Sequence, residues 1–438
     1  VTAVPALAAG TSWSPPAAAG PCPAGGPPWV LFPQDGPTEP TGPGALVWQA
    51  APGCPGGPGA RVDQIAQGAA PGAPARPRSA SGALIAPLGP LSAASSPHGQ
   101  IAILGADPRH PGGALLVQGH AGGPFRALLK GGPLLPGATL STAYLGDLAL
   151  LAPTRASAQG ALGLSVERWF GNALGPTVDS GGPAAGAVSG LTVALDFRSD
   201  AIVAWAQDGA VWVRDVPAHG GPRPARRLGP AGPAAHIVAL LSDDNRGIVM
   251  WSERRGAATN VWMDYSATGP RFGAPRLLEH IVDPGALPAP AGSPQLIRLS
   301  SESVMAAWAG AEGGRWVVRT APVDQHGLRT VGTIAAPGGD ALLASLAPGP
   351  RGEAIVLFGQ PSQDPVGGPV AAEQALYSAR GSEADGRTVF GAPEAIAGPG
   401  PVRGATVAIE PGSDRAIAAW QGSEGAVYYS LRAPEPAG

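Results

Sequence analysis

The chain has 438 residues and a formal charge of −3, and its 67 Gly and 52 Pro make up more than a quarter of it. A disordered chain of that kind would be poor in apolar residues; here 44% are hydrophobic and 11 are Trp, which excludes disorder and leaves many turns between short buried strands. No basic stripe is present, which argues against a nucleic-acid partner, and no apolar run nears the roughly eighteen residues of a transmembrane segment.

At the N-terminus, Val4-Pro5-Ala6-Leu7-Ala8-Ala9-Gly10 has the small-x-small form of a signal-peptide cleavage site, and equally that of an apolar first strand. Cys22 and Cys54 follow in Pro/Gly-rich stretches. Two cysteines are too few for a zinc site without histidine help. A disulfide fits an exported chain, and two unpaired thiols are the other reading.

From there the chain repeats itself. Ala201-Ile202-Val203-Ala204-Trp205 returns as Gly247-Ile248-Val249-Met250-Trp251, Val304-Met305-Ala306-Ala307-Trp308, Ala354-Ile355-Val356-Leu357-Phe358 and Ala416-Ile417-Ala418-Ala419-Trp420. Looser copies end at Trp48, Leu104 and Leu151, so the anchors stand near 48, 104, 151, 205, 251, 308, 358 and 420. Each clear unit has an apolar strand, a tight polar turn such as Arg198-Ser199-Asp200, Asp243-Asp244-Asn245-Arg246 or Gly412-Ser413-Asp414, and then the anchor strand. A third strand follows, as in Val211–Arg214, Val261–Asp264, Trp316–Arg319 and Val427–Ser430. The fourth element is an aromatic-small-x-Pro segment, as in Phe272-Gly273-Ala274-Pro275.

Four short strands per repeat of about fifty residues predict an all-β fold over residues 1–438, a single β-propeller of eight four-stranded blades. The last unit stops after its third strand, at Leu431-Arg432, and Trp13-Ser14-Pro15-Pro16 carries the missing element. Residues 1–20 are therefore expected to supply the closing strand of the C-terminal blade, removing an exposed edge.

The pattern resembles the secreted β-propeller repeat proteins of high-G+C bacteria, distant kin of the sialidase-like propellers. Lys130 as the only lysine among 28 basic residues fits such a genome. The resemblance implies the fold and a secreted or cell-surface location, and no activity. The S-x-D-x-G-x-x-W turn of the sialidases has no match here.

No catalytic signature is present: neither a G-x-S-x-G elbow, nor an H-E-x-x-H helix, nor a phosphate loop. No cofactor or metal is called for. The repeated Trp residues are expected in the core rather than stacked on sugars. Asp196, His236 and Arg298 fall at or beside inner strands of three consecutive units, where they would make a charged ring at a channel mouth. Arg109 and His110 in one loop, and Glu253, Arg254 and Arg255 in another, are the further candidates for ligand binding. The first functional reading is an extracytoplasmic scaffold binding a glycan or protein. A polysaccharide hydrolase or lyase is the alternative, and a structural subunit of a surface assembly the third.

Overall fold

An anchor strand can be apolar at every position only if both of its faces are covered. That is its situation in the computed structural model, which describes residues 13–33, 43–96, 98–133, 138–142, 148–155, 162–170, 173–174, 178–179, 188–232, 236–242, 245–266, 271–282, 294–300, 303–337, 339–349, 352–361, 374–384, 387–397, 402–411, 415–422 and 425–434. These residues form strands and no α-helix, so none is long and apolar enough to cross a membrane. The described strands build eight antiparallel sheets, numbered here along the chain, and each anchor lies in an inner strand of a different sheet.

The chain divides into two units. The first holds residues 1–134, 315–318 and 332–438. Its sheet 1 consists of Trp29–Leu31, Gly44–Ala50 and Gly59–Ile65, and sheet 2 of Leu88–Ser95, Gln100–Ala106, Gly113–His120 and Phe125–Pro133. Sheet 7 consists of Leu342–Pro348, Glu353–Pro361, Gln374–Ala384, Arg387–Phe390 and Glu394–Ala397. Sheet 8 is ordered Ala17–Pro23, Ala426–Arg432, Ala416–Gln421, Arg403–Ile409. Sheet 7 packs on sheet 8, sheet 8 on sheet 1, and sheet 1 on sheet 2.

The second unit, residues 135–314 and 319–331, stacks sheets 3 to 6 in the same way. Sheet 4 is ordered Ser189–Leu195, Ala201–Gln207, Ala210–Val216, Arg226–Pro230, and sheet 5 His236–Leu241, Gly247–Arg255, Ala258–Ser266, Arg276–Val282. Sheet 3 opens with Thr139–Thr142 and Leu148–Arg155, and sheet 6 with Gln295–Arg298 and Val304–Glu312.

The polar turns before the anchors recur in form. Asp196, Ser242 and Ser96 each receive the i+3 amide on the backbone carbonyl and donate their own amide to the carbonyl at i+4. Their side chains also accept the i+4 amide, as Asp200 N to Asp196 Oδ1 at 2.9 Å shows. The residue before i+4 must then take a left-handed backbone. Gly99 does so at φ 70°, whereas Ser199 and Asn245 are held at φ 64° without glycine's freedom. The turns at 243–244 and 412–414 lie outside the described residues.

The anchor aromatics are core. Trp205 and Trp251 are 0% exposed, so they cannot stack on a sugar. Four of the anchor aromatics face an aromatic on the third strand: Trp205 pairs with Trp212, Trp251 with Trp262, Trp420 with Tyr428 and Phe358 with Tyr377, the last at a ring-centroid distance of 5.8 Å; Trp48 lies opposite Arg61. Such cross-strand pairs contribute beyond their buried area.

The expected fourth strand is corrected in one respect. Phe272-Gly273-Ala274-Pro275 is not a strand: Pro275 has no N–H for a ladder, and the strand begins at Arg276. Phe272 is instead a plug, seated so closely on Gly247 that a Cβ there would lie 2.9 Å from its ring. In sheet 7 the same Gly-x-Pro break splits the outer strand into Arg387–Phe390 and Glu394–Ala397. Sheet 1 has three described strands, and only an isolated Val62–Ala75 bridge lies on its outer edge.

The strand Ala17–Pro23, which runs past the expected residues 1–20, pairs with the last strand of the chain. Ala17 and Ala18 lie opposite Tyr429 and Tyr428, and Trp13 bridges to Arg432. Ser14 donates its amide to the Leu431 carbonyl at 2.8 Å and accepts the Leu431 amide on its Oγ at 3.0 Å. The Trp13 indole is buried between sheets 7 and 8 and donates to Ser378 Oγ at 2.9 Å. Residues 1–12, with the small-x-small motif, are outside the described set.

Trp13→Ala should cost about 3–5 kcal/mol, the range for truncating a buried aromatic; an unchanged denaturant midpoint would contradict the pairing. A second expectation concerns Asp63, fully buried beneath the Trp48 indole, which donates to its Oδ2 at 3.2 Å. Burial pushes its carboxyl up to about 8, against the pull of Trp48 and Arg61. The unfolded chain releases this proton near pH 4 while the folded chain keeps it, so stability should fall as pH rises from about 4 towards 8. Asp63→Asn should flatten that slope in urea titrations across the window.

Candidate functional site

Sheet 5 places one polar side chain from each of three adjacent strands on one row. Its second strand runs past the anchor to Arg255, turns at Gly256 (φ 62°) and returns, so that Glu253 lies opposite Asn260 and Asn260 opposite His280. Asn260 Nδ2 donates to Glu253 Oε1 at 3.2 Å, and His280 Nδ1 lies 2.6 Å from Asn260 Oδ1. The Trp262 indole also donates to Glu253 Oε1, at 3.2 Å, and Arg255 Nε sits 3.2 Å from the same oxygen.

A carboxylate only accepts. Glu253 therefore draws the amide nitrogen of Asn260 to itself and leaves the amide oxygen for His280. The hydrogen on His280 must then be on Nδ1, and Nε2 is left to face outward from an exposed side chain. Neutral, that nitrogen accepts a hydrogen bond from a hydroxyl or takes up a proton; charged, it donates to an anion.

Glu253 itself is 0% exposed, and its Oε2 has no hydrogen-bond partner among the described residues. It holds the row together and does not reach a ligand directly. Arg254 and Arg255 are exposed beside it, with Arg254 Nε donating to the Gly256 carbonyl at 3.1 Å.

A second oriented imidazole stands in sheet 2, in the turn after Gln100–Ala106. Asp107 Oδ2 lies 2.8 Å from His110 Nδ1, and Asp107 Oδ1 accepts the Arg109 amide at 2.9 Å. Burial alone would raise the Asp107 carboxyl. The His110 hydrogen bond and the Arg109 amide outweigh it and hold the group below the usual carboxylate range. The Arg109 guanidinium is tied to the Leu84 carbonyl at 3.1 Å, while His110 is exposed.

The inner-strand trio does not gather. Arg298 donates to the Leu241 carbonyl at 2.7 Å, whereas His236 opens the strand that Leu241 closes, about 16 Å away along an extended chain. Asp196 is turned into its own loop, accepting the Arg198 and Asp200 amides, and burial pushes its carboxyl up to about 6. Turn capping explains it. Cys54 is buried, and the side chain of Cys22 lies outside the described residues. Among the described residues no three of His, Cys, Asp and Glu gather as a metal site would need.

The sequence marked Glu253, Arg254 and Arg255 but missed Asn260 and His280. The signal was present in the register: hairpin counting from Gly256 sets Glu253 against Asn260.

No family model and no curated protein matches the chain. Solved structures similar to it include ulvan lyase, a polysaccharide lyase, at 11% identity over 94% of both chains with a TM-score of 0.48. They also include a subtype N11 neuraminidase-like protein of A/flat-faced bat/Peru/033/2010, at 8% identity over 69% of this chain and 88% of that one, TM-score 0.35. Trypanosoma rangeli sialidase is similar at 11% identity over 71% of this chain, with a TM-score of 0.32, and the match spans 55% of the sialidase.

Replacing Glu253 tests the row. In Glu253→Gln the side chain both donates and accepts, so Asn260 is free to flip and His280 to change tautomer. The ¹⁵N shifts of the imidazole should move from a single Nδ1–H pattern to a mixed one; an unchanged pattern would show that Glu253 does not set it.

Proposed function

We propose that the chain is an extracytoplasmic binding scaffold. The eight sheets are the blades of one β-propeller closed by Ala17–Pro23, and the hairpins between second and third strands present recognition groups to a glycan or protein partner. The observation that carries this reading is the Glu253–Asn260–His280 row. A buried carboxylate and an amide are committed to orienting one exposed imidazole, an arrangement that core packing does not require. Asp107 treats His110 in the same way.

The same geometry favours a second reading, a polysaccharide lyase or hydrolase, because a fixed tautomer with an open Nε2 is what a general base needs. The two part on turnover.

Export also bears on the cysteines. Cys54 Sγ lies 3.5 Å from the carbonyl oxygen of Pro23, the residue after Cys22, and no described cysteine is free. This supports a Cys22–Cys54 disulfide, contributing about 3–4 kcal/mol in the chain-entropy model. Alkylation of the unfolded, unreduced protein should add no mass, and addition at two thiols would refute the bridge.

Binding is tested on arrays of glycans and peptides with the full chain, His280→Ala and Arg254→Ala/Arg255→Ala. Whatever ligand registers should bind His280→Ala at least tenfold more weakly at an unchanged melting temperature. Equal binding by the variant would remove the site, and ligand shortening by the parent chain but not by His280→Ala would convert the reading to an enzyme.

A further inference from the structure

The residue after the anchor is small and buried in sheets 2, 4, 5, 6 and 7, where it is Gly105, Ala206, Ser252, Ala309 and Gly359. Sheets 8 and 1 carry Gln421 and Gln49 at this position, and both are half-buried. Gln421 is engaged, its Nε2 donating to the Ala24 carbonyl at 2.9 Å. The Gln49 carboxamide has no hydrogen-bond partner among the described residues.

Two glycines make room for that carboxamide. A Cβ on Gly89, in the first strand of sheet 2, would overlap Gln49 Oε1, and a Cβ on Gly25 would lie 3.0 Å from Gln49 Cδ and Nε2. Neither glycine has a left-handed backbone, so conformation does not call for them and space does. Gly25 also donates its amide to the Gln49 carbonyl at 2.8 Å, which fixes the backbone beneath the side chain. The carboxamide is thus held between two segments of chain while its own donors and acceptor stay unused.

Trp29 stands on the same face of sheet 1. It pairs with Val47, two residues before Gln49, so indole and carboxamide are diagonal neighbours about 7–8 Å apart. The anchor Trp48 points the other way and is 1% exposed. Trp29 packs on the core between sheets 1 and 2 and is only half-buried, which leaves part of its indole to solvent.

We infer that Gln49 and Trp29 form a sugar-binding subsite at the end of sheet 1. A carboxamide offers two N–H donors and an acceptor oxygen. It can therefore take two adjacent hydroxyls, one donating to Oε1 and the other accepting from Nε2. The indole beside it offers an apolar face to the C–H side of a sugar ring and a polar tip at its edge. Because the glycines hold the carboxamide beforehand, little side-chain freedom is lost on binding. A peptide fits less well: strand addition needs free main-chain groups, and the Gly25 and Ala51 amides are already bonded to the Gln49 and Pro23 carbonyls.

The inference shares a glycan partner with the binding-scaffold reading but stands on different residues, all in the first unit. Affinity for laminarin, dextran and mannan is therefore measured in the His280→Ala background, where the hairpin site does not contribute. That protein should bind at least one of the three polymers. Adding Gln49→Ala should weaken the binding at least tenfold at an unchanged melting temperature, since the side chain bonds to nothing in the fold. Adding Gly25→Ala instead, which sets a Cβ against the carboxamide, should weaken it at least threefold.

Should Gln49→Ala melt early, Gly25→Ala decides. Binding of none of the three polymers, undiminished affinity in either folded variant, or Gln49-dependent binding of a peptide library alone would each overturn the inference. Equal binding by the parent chain and His280→Ala on every array would defeat the hairpin site and leave the Gln49 subsite standing.

Discussion

The constraint on which the rest depends is that a sheet with two apolar faces has to be covered twice. The anchor runs that end at Trp205, Trp251, Trp308, Phe358 and Trp420 are apolar, and Ala201–Gln207 is buried at every position. A single sheet of this kind has nowhere to put its second face, so it demands a neighbour, and the neighbour demands another. Stacking within each unit follows, from sheet 7 through 8 and 1 to 2, and from 3 to 6. The indoles of Trp48, Trp205, Trp251 and Trp308 need one more thing, a partner for the N–H, and find it in Asp63, Gln207, the Pro230 carbonyl and Glu279. That these acceptors differ from sheet to sheet shows the apolar body of the residue to be the repeated requirement, with the polar tip satisfied locally.

Much of this was legible because burial on both faces leaves a run that composition cannot hide. The anchors at Trp205, Trp251, Trp308, Phe358 and Trp420 announced their strands, and the polar turns ahead of them announced the reversal. The pairing of Ala17–Pro23 with Ala426–Arg432 was also readable, since a unit lacking its last element and an orphan copy of that element at the other terminus imply each other. Outer strands were harder. They have one neighbour instead of two, carry weaker apolar patterning, and break at Gly-x-Pro segments, so Phe272-Gly273-Ala274-Pro275 read as a strand although it serves as a plug.

The candidate site was only half legible for a related reason. Polar residues announce themselves by type, but what they do depends on which side of a strand they occupy and what lies opposite. Asp196 and Glu253 are both buried acids near a turn. The first spends its carboxylate on its own loop, two and four residues along. The second sits within a strand, where local amides are already engaged in the ladder, and so must look across the sheet to Asn260 and on to His280. Sequence distance separates these cases poorly; register separates them at once.

Arginine side chains make directional contacts of the same kind elsewhere in the fold. In a chain with a single lysine, the guanidinium does all the cationic work, and most of it is internal: Arg415 binds Glu410 through two nitrogens, at 3.1 and 3.0 Å, and reaches on to the Ala69 carbonyl, while the Gly68 amide donates to the same carboxylate. Such a pair joins sheet 8 to the loop after sheet 1 with directional bonds that a flexible ammonium would not hold. The imidazole of His280 is oriented in a comparable way, held at Nδ1 through Asn260 by a buried carboxylate so that its other ring nitrogen is left open.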